Sequence, residues 1–322
     1  MFELAAANLL SPIILSFALG LFAALARSDL SIPEAVAKGM SIYLLFSIGF
    51  KGGVAVADNG IDGQLIGTLA AGFVLSAVIP FVAFGLLRVL TKLDTLNAAA
   101  VAGHYGSISI VTFVASSSVL ESAGLAAEGY MVATAAIMEA PAILSALWLA
   151  SRASGESRMD AGLLREIMLN GSIVLLVGSF LIGLLTGNDG LDLIASFIVA
   201  PFQGVLCLFL LDMGLIAGRG LRETKGALGS GTILFGVLMP LVGATFGLGA
   251  GLLLGLSTGG VVLLMTLSAS ASYIAVPAAM RVALPEAKPA IYLTLSLGVT
   301  FPFNLVLGIP IYLAVATMIT GG

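Results

Sequence analysis

The stretch Gly103-His104-Tyr105-Gly106-Ser107-Ile108-Ser109-Ile110-Val111-Thr112 decides how this chain is read. It lies in the middle of an apolar segment, 97–120, that is long enough to cross a bilayer. Yet it is too polar and too rich in glycine for a helix that faces lipid. Glycine in mid-span weakens the helix and lets the backbone open. Unwound backbone at membrane depth persists only where it is buried in protein or lines a cavity. A half-helix beginning there offers free N–H groups and a positive dipole end to an anion. The carbonyls freed beside it suit a cation such as sodium. Close packing through small residues explains a single stretch of this kind equally well.

A second stretch has the same character. Leu267-Ser268-Ala269-Ser270-Ala271-Ser272-Tyr273-Ile274-Ala275-Val276-Pro277 lies 163 residues beyond the first, with Ser107 matched by Ser270 and Ser109 by Ser272. Pro277 removes a helix donor and favours a break nearby. Paired interrupted segments at corresponding places are a sequence pointer to a transporter binding site, with hydroxyls from both halves meeting near the midplane.

Composition fixes the solvent. Of 322 residues, 59% are hydrophobic and 9% are charged, and the mean hydropathy is +1.15. Soluble domains carry about 25% charged residues. The expectation is an all-α polytopic membrane protein. Candidate spans run near 7–26, 36–57, 64–90, 97–120, 127–150, 171–186, 192–217, 228–255, 257–282 and 288–320. The break near Leu256 is the weakest, and a nine-span reading stays open there. Met1-Phe2-Glu3 lacks a basic n-region, so the first apolar segment is expected to be kept as a span.

Charge sorting supports ten spans. Of the thirteen Lys and Arg residues, twelve fall on one side and only Lys51 on the other. The positive-inside rule makes the richer side cytoplasmic and puts both termini outside. Lys51 is expected near the outer end of span two, with its ammonium reaching the interface.

The two halves resemble each other elsewhere too. Ile48-Gly49-Phe50-Lys51-Gly52-Gly53 parallels Met213-Gly214-Leu215-Ile216-Ala217-Gly218 at an offset of 165 residues. Five spans per half turn the second copy upside down, which is the inverted-repeat plan. The expected organisation is 1–151 as the first repeat, 152–170 as a cytoplasmic linker and 171–322 as the second repeat.

Ionisable residues inside spans mark function or a paired structural charge. Three roles fit Glu139, beside Pro141: sodium ligand, proton carrier, or hydrogen-bond partner of a broken helix. Asp212 fits a functional role and a pairing role equally. His104 fits a proton switch, and fits a buried structural group better.

Several classes are excluded. One Cys207 and one His104 allow no disulfide framework and no cysteine or multi-histidine metal site. No basic run exists to follow a phosphate backbone. Gly247-Leu248-Gly249-Ala250-Gly251, with Gly255, follows no strand, so it reads as tight helix packing and not as a nucleotide loop. No protease or hydrolase motif is present, so no enzymatic activity and no cofactor is expected.

At these motifs the chain resembles the sodium-dependent bicarbonate transporters of the cyanobacterial type. The likeness rests on Gly106 to Thr112 followed by Leu120-Glu121, and on Met138-Glu139-Ala140-Pro141-Ala142. It also rests on Leu267 through Pro277, with Arg281, Pro285, Pro289, Tyr292, Pro302 and Pro310. The resemblance implies an elevator-like fold, with two broken crossing helices in a mobile core and spans one, two, six and seven in a gate domain. It also implies a homotrimer in the cell's inner (plasma) membrane that couples bicarbonate uptake to inward sodium. Carried over by position, the family's hydroxyls fall on Ser109, Thr112, Ser270 and Ser272, and its acid on Glu139. The expected anion contacts are then Gly106, Ser107, Ser109, Ser270 and Ser272. The expected sodium contacts are Thr112, Glu139, Ser268 and Tyr273.

Three departures from the family pattern bear on cargo and partners. Tyr273 stands where the family has aspartate, and Ile110 and Val111 stand where it has glycine and serine. These make the pocket more apolar, so a small organic carboxylate is a second candidate cargo. A channel or receptor without coupled transport is a third reading. The link 152–170 is shorter than the loop of members bound by a regulatory trimer of the signal-transduction type, which leaves that partner open.

Overall fold

The computed structural model describes residues 10–60, 62–154, 165, 169, 171–223, 229–273, 276–277, 279–280 and 284–321. Among these residues every regular element is helical. The first group comprises α1 Pro12–Leu25, α2 Glu34–Asn59, α3 Gly63–Leu90, α4 Thr95–Gly106, α5 Ile110–Ser122, α6 Met131–Ile137 and α7 Ala140–Ser154. The second comprises α8 Gly171–Ile198, α9 Phe202–Glu223, α10 Ser230–Leu253, α11 Thr258–Ala269, α12 Pro289–Leu295 and α13 Ile309–Thr320. Between α12 and α13 the helix widens into two π turns, Ser296–Thr300 and Asn304–Gly308. Most of the expected linker 152–170 lies outside the described residues, as do the start of the expected first span and Ile274, Ala275, Ala278 and Arg281.

Among the described residues, eight helical stretches are long and apolar enough to cross a membrane, and Pro12–Leu25 and Thr258–Ala269 are shorter apolar helices. The chain is therefore a multi-pass, all-helical membrane protein. Its outer surface agrees: Leu185, Leu193 and Leu253 are 84%, 84% and 90% exposed, which suits lipid and not water.

The structure adds two interruptions to the expected spans. The expected break at Gly187-Asn188-Asp189-Gly190 is present, since Gly187 is non-helical (φ +58°, ψ −151°) and separates 171–186 from 188–198; a further turn at Val199-Ala200-Pro201 separates 188–198 from the next helix. Gly187, at φ +58°, takes a backbone state open to glycine and divides α8 into two pieces, the second returning along α2 so that the Phe197 carbonyl accepts from the Tyr43 hydroxyl at 2.6 Å. Pro201 cannot continue a helix from the preceding turn, so α9 starts at Phe202. The expected span 127–150 is also interrupted, at Met138-Glu139 between α6 and α7.

Two helix pairs form one part of the molecule: α1 lies along α9, and α2 lies along α8. Glycines set the spacing. A Cβ at Gly20 would strike the Leu211 carbonyl, and one at Gly214 the Phe17 carbonyl, so α1 and α9 touch backbone to backbone. Gly53 against Phe180 and Gly183 against Phe50 do the same for α2 and α8. In the other part, α4 packs on α3 and α7, and α11 packs on α10 and α13. The glycine run of α10 is a packing face, as expected: Gly247 lies against the Leu264 carbonyl and Gly251 against Val261.

Hydrogen bonds tie the connections at each end. At one end Glu128 accepts from the Ser257 N–H (2.6 Å) and hydroxyl (3.1 Å), placing a carboxylate at the start of α11. Gln64 donates there to the carbonyls of Leu254 (3.1 Å) and Gly255 (2.8 Å). At the other end Asp94 caps α4, and Asn97 accepts from the Lys288 N–H at 2.8 Å. Burial opposes the Asp94 charge, but the Asn97 N–H groups and the Lys288 ammonium hold its carboxyl below the usual range.

Candidate functional site

The helix breaks meet inside the molecule. Helix α4 ends at Gly106 with Ser107 extended as its cap (φ −84°, ψ 175°). Helix α11 ends at Ala269 with Ser270 in nearly the same state (φ −87°, ψ 164°). The two breaks then bond to each other. The Ser109 N–H donates to the Ser270 hydroxyl at 2.9 Å, and the Ser272 N–H donates to the His104 carbonyl at 2.7 Å. The backbone that each break frees is thus partly satisfied by the other, as buried polar groups require.

Serine restarts the helix beyond the first break. The Ser109 hydroxyl accepts from the Thr112 N–H (3.2 Å) and from the Thr112 hydroxyl (2.8 Å), which makes Ser109 the N-cap of α5. Its preference for capping over mid-helix positions is the local reason the chain stops and starts here. In the second break the Ser272 hydroxyl accepts from the Val276 N–H at 3.4 Å.

Residues 97–116 and 259–273 are buried without exception, so both breaks lie in the molecular interior and not against lipid. Ser107, Ser109, Thr112, Ser268, Ser270 and Ser272 are all at most 3% exposed. A fully packed interior leaves few polar atoms unpaired. Here the buried side-chain atoms without a partner among the described residues are Ser107 Oγ, Ser268 Oγ, the Tyr273 hydroxyl, Glu139 Oε2, His104 Nε2 and Ser296 Oγ. Four belong to the expected anion and sodium contacts. The Tyr273 hydroxyl lies near Ser109 without completing a well-formed bond, and its ring packs edge-on against Phe301, centroids 5.4 Å apart.

Glu139 is placed in the third interruption, between α6 and α7, and is 4% exposed. Ser76 of α3 bridges that interruption, donating to the Met138 carbonyl (2.6 Å) and accepting from the Ala142 N–H (3.2 Å). Pro80, also on α3, lies against Gly106 at the end of α4. His104 stacks on Tyr292 with centroids 4.4 Å apart, and its Nδ1 is bonded to the Ala100 carbonyl at 2.7 Å. Asp212 is 4% exposed and lies on α9, the helix paired with α1. Among the described residues no group of three or more His, Cys, Asp or Glu could hold a metal ion.

Sequence reasoning overlooked the support supplied by the last helical stretch. Asn304 donates to the Ala269 carbonyl at 2.9 Å, satisfying the end of α11, and accepts from the Tyr312 hydroxyl at 2.8 Å. Thr300 bonds the Tyr105 hydroxyl and donates to the Gly236 carbonyl. The signal was present as an asparagine in the apolar run Phe303-Asn304-Leu305, next to Pro302. Lys51 has a defined setting. It stands eight residues, about 12 Å, inside the end of α2. Its ammonium lies 4.9 Å over the Phe202 ring, in a cavity of about 320 Å³.

An all-helical, multi-pass membrane protein with interrupted helices facing each other in its interior has the architecture of a transporter, not that of a soluble enzyme or a simple anchor. The comparison with known families gives the particular one. The chain belongs to the Na+-dependent bicarbonate transporter superfamily, whose family model matches residues 12–317. A search among curated proteins finds no match.

Proposed function

We propose that this protein is a sodium-coupled symporter of bicarbonate, with ten spans in two inverted halves of five, 1–151 and 171–322. The observation that carries the reading is the joining of two equivalent helix breaks through Ser109 and Ser270, with unpaired buried oxygens beside them. In this reading the anion rests on Gly106, Ser107, Ser109, Ser270 and Ser272, at the open N-terminal end of α5. The first N–H groups of a helix have no partner within it, and they attract negative charge.

Sodium, the second cargo, is held by oxygen: Thr112, Glu139, Ser268 and Tyr273, with carbonyls from the C-terminal ends of α4 and α11. Hydroxyl, carboxylate and carbonyl ligands suit a hard cation. Packing also supports the repeat. The partners α1–α9 and α2–α8 exchange under an offset of half the chain, and so do α3–α4 and α10–α11. The helices α1, α2, α8 and α9 would form the gate of an elevator, and the broken helices its moving core. A homotrimer in the plasma membrane, with termini outside and the 152–170 linker in the cytoplasm, completes the proposal.

Uptake of labelled bicarbonate into proteoliposomes under an inward sodium gradient tests this directly. Uptake that is equal with and without the gradient sinks it. A second reading keeps fold and coupling but carries a small organic carboxylate. It is favoured by the buried Tyr273, Ile110 and Val111 side chains at the breaks. Thermal stabilisation by carboxylates against bicarbonate, each with and without sodium, separates the two.

A further inference from the structure

Three neighbouring hydroxyls join the start of α5 to the second break: Thr112, Ser109 and Tyr273. All are buried, at most 8% exposed. The direction of their hydrogen bonds follows from counting donors and lone pairs. The Thr112 hydroxyl donates to Ser109 Oγ at 2.8 Å, and the Thr112 N–H donates to the same oxygen at 3.2 Å. Both lone pairs of Ser109 are then occupied, so Ser109 has only its hydrogen left to offer. The Tyr273 hydroxyl lies beside Ser109. Tyr273 finds no free lone pair there, so between these two only Ser109 can be the donor.

The ends of the row therefore differ in kind. At Thr112 the hydrogen is used, and its lone pairs accept no bond among the described residues. At Tyr273 the hydrogen has no acceptor among the described residues. Free lone pairs suit a hard cation, and a free O–H suits an anion. Packing does not call for the Tyr273 hydroxyl: phenylalanine would serve the edge-on contact with Phe301 as well. A buried hydroxyl left unmatched is costly, which favours a ligand at that end.

We infer that these three hydroxyls couple the two cargoes, with sodium on the Thr112 oxygen strengthening, through Ser109, the Tyr273 O–H as a donor to the anion. This rests on the proposed sodium and anion sites, and it gives the Tyr273 hydrogen to the anion where its oxygen was grouped with sodium. A cation at Thr112 draws electron density from the Thr112 O–H bond, and hydrogen bonds in a chain polarise one another. Each hydroxyl keeps its own hydrogen throughout. The coupling is reciprocal, so the anion tightens sodium by the same factor.

The test is calorimetric binding to the purified full chain, with bicarbonate and acetate as probes, at zero and at saturating sodium. In wild type, sodium should tighten the bound anion about tenfold. Y273F keeps the ring on Phe301 and should bring that factor close to one. T112V keeps the N–H bond to Ser109; it should abolish the enhancement too, and T112S should restore it. The double variant Y273F/T112V should lose nothing further. Without ligand, Y273F should melt at the wild-type temperature or slightly above, because it deletes no completed bond. A lower melting temperature would reveal a structural partner for the hydroxyl and overturn the inference. Weaker sodium binding by Y273F in the absence of anion would also overturn it, making Tyr273 a sodium ligand. Sodium enhancement that survives Y273F or T112V overturns the coupling role alone. Wild-type anion binding that ignores sodium sinks the proposed symport, and the coupling with it.

Discussion

The Ser109 N–H donates to the Ser270 hydroxyl at 2.9 Å, across 161 positions of sequence, and so joins the interruption of one helix to the interruption of another. Ser270 has a second bond, from its hydroxyl to the Leu267 carbonyl at 2.9 Å. One hydroxyl thus serves an N–H from the first break and a carbonyl from the second. The S270A variant leaves a buried N–H unpaired, which costs about 1–3 kcal/mol. Thermal melts should show a Tm lower by several degrees, and anion affinity should fall about tenfold. S272A keeps the Ser109–Ser270 bond, so it should weaken anion binding with a smaller loss of Tm. Full affinity in both folded variants would assign these hydroxyls to packing alone.

Glu139 Oε2 is buried without a partner among the described residues. E139Q keeps the shape of the side chain and removes its formal charge. If Glu139 contacts sodium, the sodium concentration for half-maximal uptake should rise about tenfold, the equivalent of about 1.4 kcal/mol. A sodium titration of uptake checks this. Superimposable curves for wild type and E139Q, with the same pH profile, would leave Glu139 a structural role beside Pro141.

Asn304 links the Tyr312 hydroxyl to the Ala269 carbonyl. N304L strands both at once in a fully buried setting. A stability loss of about 2–3 kcal/mol is expected from two unpaired buried groups. Y312F removes only one end of the chain and should cost about half as much. Equal melting temperatures for N304L and wild type would show that the π turns hold α11 without this bond.

Much of this architecture was legible in the chain because its causes are local. Serine at 109 caps a helix, and glycine and proline at 106 and 277 weaken one, so both interruptions could be read directly from sequence. Exclusion of charge from long apolar segments marked the membrane character for the same reason. What escaped was set by distant partners. The Met138-Glu139 interruption is held by Ser76, more than sixty positions away, and Asn304 acquires meaning only once Ala269 lies beside it. The 187–190 glycines read as a break and Gly187 makes one, whereas the further turn at Val199-Ala200-Pro201 has only Pro201 as a local sign. The cavity beside Lys51 and Phe202 has no sign in the sequence, because it is formed by residues distant along the chain.

Glycines at the α2–α8 crossing make a prediction about packing. A methyl at Gly53 would collide with the Phe180 carbonyl, and one at Gly183 with the Phe50 carbonyl. G53A and G183A should each destabilise by about 1–3 kcal/mol, as overpacking does. Gly85 in α3 has open space around it. G85A should therefore leave stability unchanged or raise it by about 0.5–1 kcal/mol, since alanine is the better helix former. Melting curves for the three variants in one detergent decide the matter. Equal losses at all three positions would mean that glycine is needed for flexibility and not for close approach.

The contact between Gln203 and Ser118 bears on motion. Gln203, at the start of α9, donates to the Ser118 hydroxyl of α5 at 2.9 Å. It thereby ties the α1–α9 pair to a broken helix, across the cavity wall. If the broken helices slide past α1, α2, α8 and α9 during transport, this bond must open in every cycle. A neutral hydrogen bond contributes about 1 kcal/mol net. Removing it by Q203A should lower the barrier by up to that amount and raise the maximal uptake rate as much as fivefold. The anion site should keep its affinity, because Gln203 touches neither break. S118A should act in the same direction, and the double variant should add nothing further, since both single changes delete one bond. Uptake rates at saturating sodium and bicarbonate provide the measurement. Unchanged or slower turnover in all three variants would argue that α5 and α9 stay together through the cycle, and would place the moving boundary elsewhere.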